Sequence, residues 1–487
     1  MQCIRLITAV AVMTSLSVSA YSKERDESLT LYPDSAINLL HTDKDIDVKT
    51  PTVWMLDSVQ TMKVPSEDKW WSNFKDPVLD RLIALAAENN TSLRIALKRI
   101  ELAKNSLKQA RTSYLPDLSL SAGWNISRSS GVTGKIKGDA STASAFSVGA
   151  TASWEADLFG RIRENVKAQK EGVNISKADY AAMQVSIAAE VARYYIDIRL
   201  YQQQLRIAES HIESQKRVTN ITKAREEAGL SSMLDVSQSM TVLYSTEATI
   251  PSLKALIRTT INSLGVLLGV DGNQLDDILG KSGRLPDYRQ AVPMAVPADI
   301  VRRRPDIIKA GYQLSQDMAL LGVAKKDYLP SLTISGSVGT SSRNLKNLFS
   351  EPSFTYMVSP EISWTAFDGG LRGLRVAEQK LHLESDMENY NLTVRTAAEE
   401  VNNAIANYEA YNEAISLRTK VVEESEHSLT LALDRYKQGL AAFTNVADAQ
   451  QDLLSYQNTL VSTNARAIQS LIDLYVALGG GWSEFSE

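Results

Sequence analysis

Cysteine is nearly absent. Cys3 is the only one in 487 residues, so the chain beyond its first few residues holds neither a disulfide nor a cysteine metal ligand. The four histidines, His41, His211, His382 and His427, are scattered, and none falls in the His-Glu-x-x-His spacing of a metal site. Gly369-Gly370 lacks the Gly-x-x-x-x-Gly-Lys surroundings of a phosphate loop; it suits a turn from strand into helix instead. No enzymatic constellation is present, and no metal or cofactor is expected. The formal net charge is only -5 and no basic block occurs, which excludes a nucleic-acid partner as the expected reading. Long apolar runs are missing too. The run at residues 6–12 follows Arg5 and precedes the small residues Val18-Ser19-Ala20, the pattern of a secretory signal over residues 1–20 cleaved near Ala20-Tyr21. It falls short of the roughly 20 residues of a spanning helix. If the protein sits in a membrane, it must do so as a closed barrel.

What the sequence does have is a tandem repeat. Tyr114-Leu115-Pro116 returns as Tyr328-Leu329-Pro330, Ser153-Trp154 as Ser363-Trp364, Arg225 with Gly229-Leu230 as Arg435 with Gly439-Leu440, and Leu268-Gly269 as Leu478-Gly479. From Trp154 onward the separation is a constant 210 residues; at the tyrosines it is 214, which places the only length difference between Tyr114 and Trp154. A repeat of this length fixes the architecture. It divides the chain into an N-terminal extended or equatorial segment (21–76), a first copy (77–284), a Pro-rich linker (285–305), a second copy (306–479) and a tail (480–487).

Each copy runs through the same periods. A helix is expected over 77–113 and again over 306–327, each stopped by its Leu-Pro pair. Strict alternation follows, with Leu118, Leu120, Ala122, Trp124 and Ile126 on one face and Ser119, Ser121, Gly123, Asn125 and Ser127 on the other. The strand hairpins are expected over 117–155 and 331–364, each with a Gly/Ser-rich loop. Then come long helical hairpins over 165–268 and 375–478, turning at the Gly-Leu pairs. The run 375–438 has neither glycine nor proline and would span roughly 95 Å if straight. Apolar residues recur along it at three- and four-residue steps, through Val394, Ala398, Val401, Ile405 and Tyr408 to Ile415, Val422, Leu429, Leu433 and Tyr436, as in a coiled-coil seam.

Four strands of about ten residues suit a tilted bilayer crossing, yet they cannot close alone, because the smallest outer-membrane barrels have about eight strands. Their edges must be completed by other copies of the chain. The bland alternative is a soluble sandwich, whose strands alternate in the same way; its weakness is that so few strands are attached to such long helices.

These motifs, with Trp-Glu-Ala-Asp-Leu-Phe-Gly at 154–160, Phe-Asp-Gly-Gly at 367–370 and Arg-Arg-Arg-Pro-Asp at 302–306, resemble the TolC family, and most closely its branch serving resistance-nodulation-division efflux pumps. The resemblance covers nearly the whole chain after the signal. It implies a mixed α and β membrane protein: a homotrimer whose twelve-stranded outer-membrane β-barrel, four strands per chain, continues as a twelve-helix coiled-coil periplasmic tunnel with an α/β band at its equator. Many members of that branch carry a lipid-modified cysteine at the mature start, and this sequence offers none there. The implied function is an exit duct for small toxic compounds, with a periplasmic membrane-fusion adaptor, an inner-membrane pump and outer-membrane lipid as partners. Transferred residue by residue, the resemblance assigns a periplasmic gate to Asp448, Asn445, Tyr436 and Asp235. It assigns adaptor docking to Gly229, Leu230, Ser231, Gly439, Leu440 and Ala441. Trp124, Trp154 and Trp364 are the expected membrane-boundary aromatics. Asn445 lies where some relatives carry a second aspartate. A protein-secretion duct shares the fold, and a coiled-coil scaffold without a pore is the reading from another class.

Overall fold

A computed structural model describes residues 67–128, 130, 142–280, 283–286 and 303–482. The expected signal, most of the segment 21–76, most of the linker and the last residues of the tail lie outside the described residues. The chain begins with a 3-10 helix, Glu67–Phe74, followed by α1 (Pro77–Asn89) and α2 (Thr91–Thr112). The hairpin β1 (Asp117–Arg128) and β2 (Thr142–Ala156) leads into α3 (Arg161–Glu227), which returns through α4 (Met233–Glu247) and α5 (Thr249–Leu268). A short helix α6 (Asp276–Leu279) closes the first copy. The second copy comprises α7 (Pro305–Lys326), β3 (Ser331–Ser342), β4 (Phe354–Ser363), α8 (Leu371–Lys437) and α9 (Phe443–Ala477).

Three boundaries differ from the sequence expectation. The helix expected over 77–113 is two helices, because the Asn90 side chain accepts from Leu93 N at 3.0 Å and donates to Leu267 O at 2.7 Å, ending α1 and capping α2 at once. The return helix expected over 233–268 breaks at Ala248, three residues before Pro251. Proline has no N–H and its ring crowds the carbonyl four residues back; the matching residue of the second copy is Val461, and α9 runs unbroken. The long helices start four residues earlier than expected, at Arg161 and Leu371. Asp157 accepts from the N–H groups of Ile162 and Arg163, and Asp368 from those of Gly370 and Arg372. Both helices are 67 residues long.

The four strands form one antiparallel sheet in the order β1-β2-β3-β4. Register places Leu118, Ala152, Gly336 and Val358 in one row and Leu120, Ala150, Val338 and Tyr356 in the next, so the apolar face is continuous across all four strands. The opposite face carries Ser119, Thr151, Ser337 and the one apolar Met357, then Ser121, Gly149, Gly339 and Thr355. Gly149 faces Gly339 so closely that a Cβ on Gly339 would fall 2.6 Å from the Val148 carbonyl oxygen. Each hairpin is tied to the helix before it by an equivalent bond: Trp154 Nε1 donates to Tyr114 O and Trp364 Nε1 to Tyr328 O, both at 3.0 Å.

The main core lies where the short elements pack against the middle of the long helices. Trp70, Leu79, Leu82, Ile196, Ile198, Leu264, Leu268 and Ile472 are all under 2 % exposed there, and Trp70 stacks on Tyr475 at 5.5 Å. Arg304, from the triple-arginine motif, is buried beside this core. It pairs with Asp306 and Glu400 and donates to Ala477 O at 2.8 Å, closing the end of α9.

Candidate functional site: the hairpin tips

At the far end of the long helices from the sheet, both helical hairpins turn through glycines in the left-handed region, Gly229 with φ 68° and Gly439 with φ 75°. Leu230 N bonds back to Arg225 O at 2.8 Å and Leu440 N to Arg435 O at 2.9 Å, so each pair forms a helix stop that needs glycine at that position. The leucines that follow are not used for packing: Leu230 is 66 % exposed and Leu440 72 %. Ser231 is half-buried and donates to Thr222 O at 3.4 Å, while Ala441 is half-buried. The six residues assigned to docking thus surround two matching turns, each presenting one bare leucine.

The candidate gate residues divide into two sets. Tyr436 is buried at the end of α8, in a small cluster with Val218, Phe443 and Val446. Its ring meets Phe443 edge-on at 5.3 Å, and its hydroxyl donates to Asp235 Oδ2 at 3.3 Å, joining the second hairpin to the first. Asp235 is positioned by the cap of α4, where Ser232 accepts from Asp235 N. Asn445 and Asp448 are not part of this contact. Both lie on the first turns of α9 and are exposed within the single chain. The structure therefore brings Tyr436 and Asp235 together and leaves Asn445 and Asp448 on an open face.

Two further residues complete the site. Phe443 supplies the ring on which Tyr436 rests, and its signal in the sequence was an apolar residue following a Gly-Leu turn. Arg225 lies with its guanidinium carbon 5.1 Å from the Tyr436 ring centroid. In the sequence it was visible only as a repeat marker.

Of the three tryptophans, Trp124 lies on the apolar face, stacked on Phe146 at 6.0 Å, and is 60 % exposed. Trp154 stands two residues before the end of β2, and Trp364 follows β4 directly. Among the described residues, no single helix is long and apolar enough to cross a membrane, and no group of three acidic, histidine or cysteine side chains is placed to hold a metal.

The family model described as "Outer membrane efflux protein" matches residues 82–270 and 296–480, one stretch in each copy. The chain belongs to this family. It is similar to the solvent efflux pump outer membrane protein SrpC of Pseudomonas putida, 31% identical over 411 residues, which are 84% of this chain and 87% of the relative. The cation efflux system protein CusC of Escherichia coli is 27% identical over 85% of this chain and 88% of its own length. Among solved structures, the outer-membrane channel OprN superposes with a TM-score of 0.80 at 29% identity, covering 86% of this chain and 93% of that one. This outer membrane efflux protein is thus an outer-membrane channel of a Gram-negative cell, with a helical tunnel on the periplasmic side, and its family is one of transport proteins.

Proposed function

We propose that three copies of this chain join edge to edge into a twelve-stranded barrel whose small polar face lines an open pore. The observation that carries this is the sheet itself: within one chain its apolar face is continuous, its other face is mostly Ser, Thr and Gly with Met357 and a few charged residues among them, and β1 and β4 each keep an unpaired edge. An edge of this length pairs with another strand or invites aggregation. β1 is exposed along its whole length in the single chain, which fits a strand with lipid on one side and water on the other. Leu118, Leu120, Val358 and Ile362 would then meet outer-membrane lipid, and Trp124, Trp154 and Trp364 its boundaries.

In this reading the channel is the passive exit of a tripartite system. A periplasmic membrane-fusion adaptor docks at Gly229, Leu230, Ser231, Gly439, Leu440 and Ala441, and an inner-membrane pump of the resistance-nodulation-division type loads small toxic compounds. The exposed Leu230 and Leu440 support the docking assignment, because a helix stop alone needs only the glycine. Relatives are named for solvent and for cation efflux, which fits a duct that leaves selection to the pump.

The closed state is held by Tyr436 and Asp235, whereas Asp448 and Asn445 face the axis. Three copies of Asp448 near one axis repel one another, so closure needs the Tyr436 bond, and a ring of carboxylates there favours cations. Light scattering in detergent should give a trimer, and planar bilayers should show discrete conductance; a stable monomer overturns the barrel. Tyr436→Phe with Asp235→Ala should raise conductance and admit large antibiotics, since each neutral bond contributes about 0.5–1.5 kcal/mol and three subunits act together. Asp448→Ala should weaken cation preference. Unchanged conductance and selectivity in all these variants would place the gate elsewhere.

A further inference from the structure

We infer that Arg225 is a positioning residue of the gate: its guanidinium fastens the second hairpin's turn to the first hairpin and holds Tyr436 where it can reach Asp235. This rests on the gate reading above. Arg225 stands in the last turn of α3. Its Nη1 donates to Lys437 O at 2.6 Å, and its Nη2 donates to Leu230 O at 3.3 Å. Lys437 O belongs to the last turn of α8, whose carbonyls have no partner within the helix and carry its negative dipole end. One side chain therefore bonds both turns while its guanidinium carbon lies over the Tyr436 ring.

The contacts make Tyr436 a clamped ring, gripped on its face by Arg225, on its edge by Phe443 and at its hydroxyl by Asp235. The second hairpin cannot swing away from the first without losing the Arg225 bonds together with the Tyr436 bond.

The tandem repeat supplies an internal control. Arg435 occupies the position of Arg225 in the second copy, yet it is exposed and forms no ion pair or side-chain hydrogen bond among the described residues. The clasp runs one way only: the first hairpin provides the cation, and the second provides the carbonyl and the ring. Each arginine stands four residues before its Gly-Leu pair, but the residue that follows it differs. Two residues before the glycine's own preceding residue stands Glu226 in the first copy and Tyr436 in the second.

The test uses the full-length channel, expressed in cells and purified for planar bilayers. Arg225→Ala should raise conductance of the resting channel several-fold and make cells at least four-fold more sensitive to vancomycin, with the assembled oligomer present at the wild-type level. Arg225→Lys keeps the charge but cannot bond two carbonyls and stack at once, so it should give an intermediate effect. Arg435→Ala should match the wild type. If Arg225→Ala does not assemble, Arg225→Lys carries the test, and wild-type conductance from that variant overturns the inference. Equal opening by Arg225→Ala and Arg435→Ala also overturns it, because loss of charge at the tips would then suffice. If Tyr436→Phe with Asp235→Ala opens the channel and Arg225→Ala does not, the gate reading stands and the role of Arg225 falls. If neither opens it, both fall.

Discussion

The band at the middle of the long helices and the tips at their ends are held by different means. The band buries tryptophan, tyrosine, leucine and isoleucine from the first 3-10 helix and from α1, α2, α3, α5, α6, α8 and α9 in one continuous cluster. The tip buries Val218, Tyr436, Phe443 and Val446 and adds a few polar bonds. Between them α3 and α9 add polar pairs, Gln204 to Ser462 at 3.2 Å and His211 to Gln457 at 2.9 Å, beside the smaller buried side chains Ala208, Ile212, Leu453 and Val461. Apolar burial scales with area and resists sliding, whereas single polar bonds exchange partners at small net cost. The band is therefore the fixed point of the protomer, and the tips lie toward its low-stability end.

Breaking the fixed point should have the largest effect. Trp70→Ala removes a fully buried ring stacked on Tyr475 and should cost about 3–5 kcal/mol, read as loss of assembled protein and an earlier unfolding transition in denaturant. Arg304→Ala should follow. It frees the Ala477 carbonyl and leaves Asp306 and Glu400 without their cation, and because those carboxylates are 43% and 49% exposed the loss should be about 1–3 kcal/mol. At the tip the expected changes are smaller in energy and larger in conductance. Tyr436→Phe alone should cost about 0.5–1.5 kcal/mol and leave the unfolding transition of the band in place.

Gln215→Leu sharpens the comparison from the other side. Gln215 is buried on α3 near the tip, and neither amide atom has a hydrogen-bond partner among the described residues. An apolar side chain of similar size should stabilise the hairpin contact by about 1 kcal/mol and lower the leak of resting channels.

The smallest effect concerns Asp317 on α7. Burial, and then the neighbouring Asp386 carboxylate, push its carboxyl above the usual range. A raised folded value means that the folded state holds the proton more tightly than the unfolded chain. This contribution to stability therefore grows as pH falls from neutral into the raised range and is lost as pH rises through it. Asp317→Asn should flatten that dependence and raise neutral-pH stability by less than about 1 kcal/mol, since the pair is partly exposed and screened. Thermal unfolding followed from acidic to neutral pH measures it.

Much of this architecture was legible in the sequence because the strands have no partner layer within the chain. Their alternation was undisturbed, and register then placed Leu118, Ala152, Gly336 and Val358 in one row. The seam along α8 was legible for the same reason: Val401, Tyr408 and Tyr436 are buried and Ile415, Val422 and Leu429 half-buried at the expected steps. The helix breaks were less visible. Asn90 acts as a cap only because Leu267, far along the chain, offers its carbonyl, and Pro251 sat inside an otherwise periodic run. Arg225 was missed as a site residue because its partners are a ring and two backbone carbonyls. A carbonyl leaves no mark in the identity of the residue that carries it. Asp448 and Asn445 could be placed on α9, but their exposed positions are indistinguishable from ordinary solvated ones within a single chain.

The equal length of α3 and α8 makes each a lever arm with its fulcrum in the band. At 1.5 Å per residue, the part of α8 from Tyr408 to Tyr436 is roughly 42 Å long, and a tilt of about 5° at the band moves its end by roughly 3.7 Å. That displacement exceeds the 3.3 Å separating the Tyr436 hydroxyl from Asp235. A partner that tilts the shaft anywhere below the band thus has its own small displacement enlarged at the tip, and it can undo the tip without touching it.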